Sequence, residues 1–218
     1  NELRLVAWEV TRNCNLSCVH CRASATMGPY TGELDTSACL KLLDEIKETG
    51  DPIVILTGGE PLLRPDIFEI AQYGTDKGLR MVMAPNGTMI TEENAGKMVE
   101  AGIRRISISL DGATREKHDN FRGVPGAYEG ALRGIRLAKA AGIEFQINTT
   151  ITKTNLDEMP KIQDLAVQLG AVAHHIFLLV PTGRGKYIAD QAIDAAQYET
   201  ALNWFYDQRD KTPLQLKA

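Results

Sequence analysis

The chain has 218 residues, 44% of them hydrophobic and 24% charged, with a net charge of −4. That balance is ordinary for a water-soluble globular domain with a sizeable core, and it leaves no global basic field to attract nucleic acid. No apolar run is long enough for a membrane span and no secretory signal opens the chain; with clustered cysteines that show no pairing pattern, this points to the reducing cytoplasm.

In chain order, residues 5–10 read as a first strand, apolar enough to be buried on both faces. A loop with three cysteines follows. Asp35 or Thr36 caps a helix with Leu40, Leu43 and Ile46 at helical spacing, and Cys39 rides on it as core filler. Residues 53–57 form a second buried strand. Pro65 opens the next helix, where proline is tolerated. Strands follow at 79–83, 103–110, 143–150 and 173–180. Between them lie a helix capped by Thr91, a helix over 126–141, and one with a reciprocal Asn155–Glu158 cap. A last helix covers 194–209.

Gly50, Gly78, Gly102, Gly142 and Gly170 each stand where a helix should close just before a strand. Strands alternating with helices imply a parallel sheet. A closed eight-fold barrel takes about 250 residues, so six units in this length predict an open, partial (β/α)6 barrel in a single α/β domain over 1–218.

Ligands of parallel α/β folds sit at the carboxyl ends of the strands. Those ends carry the unusual residues of this chain. After the first strand come Cys14, Cys18 and Cys21, three of only four cysteines. After the second come Gly58, Gly59, Glu60 and Pro61. The fourth ends in Ser109-Leu110-Asp111, the fifth holds Asn148, and the sixth runs into Gly183-Arg184-Gly185. Three clustered thiols can hold an iron–sulfur cluster with one iron left open, or zinc with His20 as a fourth ligand. Glycines let a ligand approach the backbone closely, and Glu60 suits a cationic amine. Asp111 reads equally well as a turn residue, Arg122 as a solvated loop cation, and Asn148 as an ordinary strand residue. Alternation sends His174 and His175 to opposite faces, so only one can look into the barrel. His118 reads as a loop or cap residue.

The spacing Cys14-x3-Cys18-x2-Cys21 on a loop after an amino-terminal strand, backed by Gly58-Gly59-Glu60-Pro61 and Ser109-x-Asp111, resembles the radical S-adenosylmethionine superfamily. The resemblance implies that Cys14, Cys18 and Cys21 carry a [4Fe–4S] cluster. It implies that Gly58, Gly59, Glu60, Ser109, Asp111, Arg122 and Asn148 bind S-adenosylmethionine, which is cleaved reductively to a 5′-deoxyadenosyl radical. An external electron donor such as flavodoxin or ferredoxin is implied as well. The wording around Trp8-Glu9-Val10-Thr11-Arg12-Asn13-Cys14, Ala84-Pro85-Asn86-Gly87 and Phe121-Arg122-Gly123-Val124-Pro125 is most similar to the tetrapyrrole-modifying branch. For that branch the expected reaction is oxidative decarboxylation of iron-coproporphyrin III propionates to vinyls. Didecarboxysiroheme deacetylation and peptide modification stand as alternatives within the superfamily. Arg12, Arg22, Arg122 and Arg184 are then candidates to bind acidic substituents. Such enzymes usually carry a carboxyl-terminal cysteine-rich extension with a further cluster, whereas no cysteine follows Cys39, so this chain is expected to be the core domain alone.

Overall fold

A computed structural model describes residues 3–218. Seven strands lie side by side in chain order, each parallel to its neighbour: β1 (Leu5–Thr11), β2 (Ile53–Gly58), β3 (Arg80–Met83), β4 (Arg105–Ser109), β5 (Glu144–Ile151), β6 (Ala173–Leu178) and β7 (Gln215–Lys217). The helices between them are α1 (Thr36–Glu48), α2 (Ile67–Asp76), α3 (Glu92–Glu100), α4 (Arg115–Arg122), α5 (Ala127–Ala140), α6 (Met159–Leu169) and α7 (Ala195–Asp207). β1 and β7 are the two edges and do not pair, so the barrel is partial and open, as the repeat of strand and helix predicts. Two elements escape the sequence reading. β7 is only three residues long, and α4 is a polar eight-residue helix inside what reads as a loop.

The strands are not buried on both faces. Along β2, β4 and β5 every second residue is fully buried and the alternate ones are half-open. The buried set (Val54, Leu56, Ile106, Ile108, Phe145 and Ile147) packs outward against Leu43, Ile70, Met98 and Ile135 of the helices. Each such side chain contributes roughly 1.5–3 kcal/mol of transfer free energy, so this outer layer is the core. The inner, concave face carries Thr57, Ser107, Ser109, Gln146, Asn148 and His175 and stays accessible. An apolar run read as doubly buried is therefore half-buried, because an open barrel leaves its inside uncovered.

Local chemistry explains most boundaries. Asp35 accepts from Ala38 N at 2.8 Å and starts α1. Thr91 accepts from Asn94 N at 3.1 Å and starts α3. The five helix-closing glycines all have positive φ. Pro65 does not open α2; the helix begins two residues later, after Asp66. The expected Asn155–Glu158 cap is absent. Asn155 instead accepts from Thr152 N and donates to the carbonyls of Asp111 and Thr150, and Glu158 accepts from Ala113 N. The reciprocal cap of this fold is Asp194 with Gln197 on α7. Among the described residues no helix is long and apolar enough to cross a membrane.

Candidate functional site

A cavity of about 300 Å³ opens at the carboxyl ends of the strands, and all three clustered cysteines line it. Their loop is strapped down from two later parts of the chain. Ser17 N donates to Arg122 O at 3.1 Å and Val19 N to Phe121 O at 3.0 Å, which joins the loop to the end of α4. Arg184 donates through Nε to Cys18 O at 2.8 Å and through Nη1 to Ala25 O at 2.7 Å. Gly183, at φ +54°, lies where a Cβ would strike the carbonyls of Cys21 and Arg22, so only glycine lets this strap close. A third tie runs through side chains. Asn15 donates to Thr88 Oγ1 and accepts from Asn86 Nδ2, both at 2.8 Å.

Each sulfur of the triplet accepts one N–H: Cys14 from Leu16 N at 3.4 Å, Cys18 from Arg122 Nη1 at 3.5 Å, and Cys21 from Ala25 N at 3.4 Å. Hydrogen bonds of this kind stabilise sulfur that carries negative charge. Burial, partly offset by the Leu16 N–H, pushes the Cys14 thiol up to about 11. Near neutral pH it keeps its proton unless a bound metal displaces it. Among the described residues no group of three or more His, Cys, Asp or Glu side chains closes around a single ion. Three thiols that line one cavity, each sulfur with an N–H donor, form a donor set that an iron–sulfur cluster can use. The His20 ring also lines the cavity and stacks on Phe121 at 4.4 Å between ring centres, and burial followed by Arg122 drives it down to about 4, which keeps the imidazole neutral.

Gly58 and Gly59 line the cavity with backbone. A Cβ on Gly59 would collide with the carbonyl of Asn13, so the crossing of the two loops depends on glycine there. Glu60 is turned away into the fold and is fully buried. Its two oxygens accept from Leu62 N at 3.1 Å and Asn86 N at 2.6 Å, so it braces the loops rather than lining the cavity.

Burial lifts the Glu60 carboxyl from 4.5 to about 7, against the pull of those two N–H donors. Because the folded state holds this proton more tightly than the unfolded one, Glu60 makes stability fall as pH rises from 4.5 towards 7. The change is about 3 kcal/mol at one pK unit per 1.36 kcal/mol. Glu60→Gln, which cannot titrate, should flatten that part of the profile. Urea unfolding between pH 4.5 and 8 measures it, and an unchanged slope would rule this assignment out.

Ser109, Asn148 and Arg122 also line the cavity, whereas Asp111 sits behind Arg122. Asp111 is 1% exposed. It accepts from Thr150 N at 2.8 Å, and its other oxygen faces Arg122 Nη2 as an ion pair. Burial, the largest single influence, would raise the carboxyl, but Arg122 together with His20, His118 and the Thr150 N–H holds Asp111 below the usual carboxylate range. His118 is no cap: it is buried on α4, and its Nδ1 accepts from Asp111 N at 3.2 Å. Of the four loop arginines, Arg122 pairs with Asp111 and Arg184 binds the carbonyls of Cys18 and Ala25, and both also line the cavity. Arg12 lies over the Tyr30 ring at 4.8 Å, and Arg22 pairs with Glu9 at the cavity mouth, its side chain 77% exposed. His174 faces outward onto Thr149 and Phe205, and His175 is the one that looks into the barrel. The roles of Arg184, His118 and Gln146 were invisible in the sequence, because each acts through partners 7 to 166 residues away or across a strand pair.

Comparison with known proteins follows the same outline. Residues 8–166 match the family model of the radical SAM superfamily. The "AdoMet-dependent heme synthase" of Nitratidesulfovibrio vulgaris is 56% identical over 215 residues, covering 99% of this chain and 59% of that protein. The protein of the same description from Methanosarcina barkeri is 53% identical, covering 100% of this chain and 62% of its own length. This chain therefore spans less than two thirds of either relative. In three dimensions it superposes on Streptococcus suis SuiB bound to S-adenosylmethionine with a TM-score of 0.80 and 15% identity, over 100% of this chain and 50% of SuiB. That likeness establishes the fold.

Proposed function

The chain belongs to the radical SAM superfamily, whose members use a [4Fe–4S] cluster and S-adenosylmethionine, and from that premise we propose what its cavity holds. Cys14, Cys18 and Cys21 hold the cluster, each sulfur braced by one N–H. The backbone of Gly58 and Gly59 receives the amino group of S-adenosylmethionine, with Glu60 fixing the loop from behind. Arg122, Ser109 and Asn148 meet its polar groups, and Asp111 keeps Arg122 in place. When bound, cluster and cofactor together supply one-electron chemistry that takes a hydrogen atom from an unactivated carbon. The chain's own work is to hold the sulfurs, orient the cofactor and keep the cavity walled. The observation that carries this reading is the set of three N–H···S contacts on cysteines that line one cavity together with Gly58 and Gly59.

The substrate reading is oxidative decarboxylation of iron-coproporphyrin III propionates to vinyls in haem biosynthesis, with an external donor such as flavodoxin or ferredoxin. It is supported by heme synthase relatives above 50% identity, aligned along nearly the whole chain. Arg22 at the mouth is the exposed cation that an acidic substituent would meet first.

Anaerobic reconstitution with iron and sulfide, followed by electron paramagnetic resonance of the reduced protein, tests the cavity. A cluster signal that changes when S-adenosylmethionine is added is the expected result. Stoichiometric zinc, or a signal indifferent to the cofactor, would overturn it. An absorbance titration with iron-coproporphyrin III then tests the substrate, and failure to bind it while the cofactor still perturbs the cluster would remove the tetrapyrrole reading alone.

A further inference from the structure

Asn148 stands on the inner face of β5 and lines both the cofactor cavity and a second chamber of about 670 Å³ beneath it. Its Oδ1 accepts from Gln146 Nε2 at 3.0 Å. The same Nε2 meets His175 Nδ1 at 3.1 Å. Gln146 and Asn148 are two residues apart on one strand, and His175 lies opposite Asn148 in the β5–β6 register, so all three share one face. An amide nitrogen only donates. Asn148 must then accept through its oxygen and His175 through an unprotonated Nδ1, its proton on Nε2. Among the described residues nothing engages the Asn148 amide nitrogen. With Oδ1 tied down, an N–H2 is what Asn148 offers upward.

We infer that Gln146 and His175 form a polarity relay that holds Asn148 as a hydrogen-bond donor towards S-adenosylmethionine, an inference that rests on the cavity reading above. Gln146 and His175 line the lower chamber and not the cofactor cavity, so they are positioning residues.

The relay has one stable sense at a time. If His175 takes a proton, Nδ1 becomes a donor and Gln146 must turn its oxygen towards it. Asn148 Oδ1 then loses its donor, and the Asn148 amide turns its N–H2 down to the Gln146 oxygen. The group presented to the cofactor changes from donor to acceptor. Burial, then Lys217 on β7 and Arg105 on β4, hold His175 below its ordinary range, which favours the accepting form near neutral pH. Arg80 on β3 lines the same chamber, Glu144 pairs with Arg105 at 2.9 Å, and His174 faces the other side of the sheet.

The test is the dissociation constant of S-adenosylmethionine for the anaerobically reconstituted protein from pH 5.5 to 8, read by equilibrium dialysis beside a melting curve. Gln146→Glu can only accept, so it forces the inverted sense and should weaken binding about tenfold at pH 7.5, with the melt retained. His175→Asn accepts like Nδ1 but does not titrate. It should bind like the parent at pH 7.5 and should lose the decline that the parent shows on the acid side. Parent-like binding by Gln146→Glu, or an acid decline that persists in His175→Asn, would overturn the relay. If Gln146→Glu fails to fold, the His175→Asn profile alone decides. A parent that binds no S-adenosylmethionine at any pH would overturn the cavity reading, and the relay with it.

Discussion

Reconstituted under anaerobic conditions, Cys18→Ser should hold well under one iron per chain where the parent holds about four, and Cys14→Ala and Cys21→Ala should do the same. A hydroxyl in place of the Cys18 sulfur still accepts from Arg122 Nη1, so the local hydrogen bond survives and the ligand does not. The fold should change by less than about 1 kcal/mol in urea unfolding of the metal-free protein. Cys39→Ala makes the opposite pattern. Cys39 is a fully buried residue of α1, takes a bond from Arg64 Nη2 at 3.2 Å and does not line the cavity. Its loss leaves a small void but no orphan, because Arg64 keeps Val10 O, Leu34 O and Asp66. Stability should drop by about 1–2 kcal/mol while iron content stays at the parent value. Iron retained by Cys18→Ser, or lost in Cys39→Ala, would sink the assignment of the three cysteines. Iron and acid-labile sulfide assays on the four variants are enough to decide.

Arg122→Ala is expected to be the most destabilising single change at the site, by about 3–5 kcal/mol, because it strands the buried Asp111 carboxylate without a counter-charge. The pH dependence separates this cause from lost packing. In the parent, Asp111 has a lowered pKa, so its contribution is present above the unfolded value and is lost as pH falls through the folded one. Without Arg122, burial, already the largest influence, is opposed only by His20, His118 and the Thr150 N–H, and the carboxyl rises. The variant should therefore gain stability on mild acidification below neutral pH, opposite in sign to the parent's Asp111 contribution. Arg122→Met with Asp111→Asn removes both charges and should recover most of the stability, since a buried pair contributes little over a neutral replacement of similar volume. It should not recover cofactor affinity, because the guanidinium that lines the cavity is gone. Urea unfolding at pH 5 and 7.5 on the three proteins measures the first claim, and cofactor dialysis the second. A single variant as stable as the parent, or a double variant as unstable as the single, would show that Arg122 is not the counter-charge that keeps the Asp111 carboxylate buried.

Strand and helix alternation, helix-closing glycines and the caps at Asp35 and Thr91 were legible in the sequence because each is a local matter of side-chain period or backbone φ. The cysteine spacing was legible for the same reason: three of four thiols within eight residues need no knowledge of the fold to stand out. What the residues do to one another was not. Nothing local distinguishes a carboxylate that faces a ligand from one that braces two loops, yet Glu60 is turned inward and Asp111 lies behind Arg122. Arg184 reads as a free loop cation until its contact with Cys18, 166 residues earlier, is seen. The apolar strands could not announce that one face stays open, since only the seven-stranded order with unpaired edges decides what covers a sheet. The sequence by itself determined the repeating unit, the strand ends that carry polar residues and the thiol triplet, all set by short-range geometry. Tertiary structure alone decided which of those polar groups meet the cavity and which are spent holding it, because burial and pairing depend on neighbours far apart in the chain.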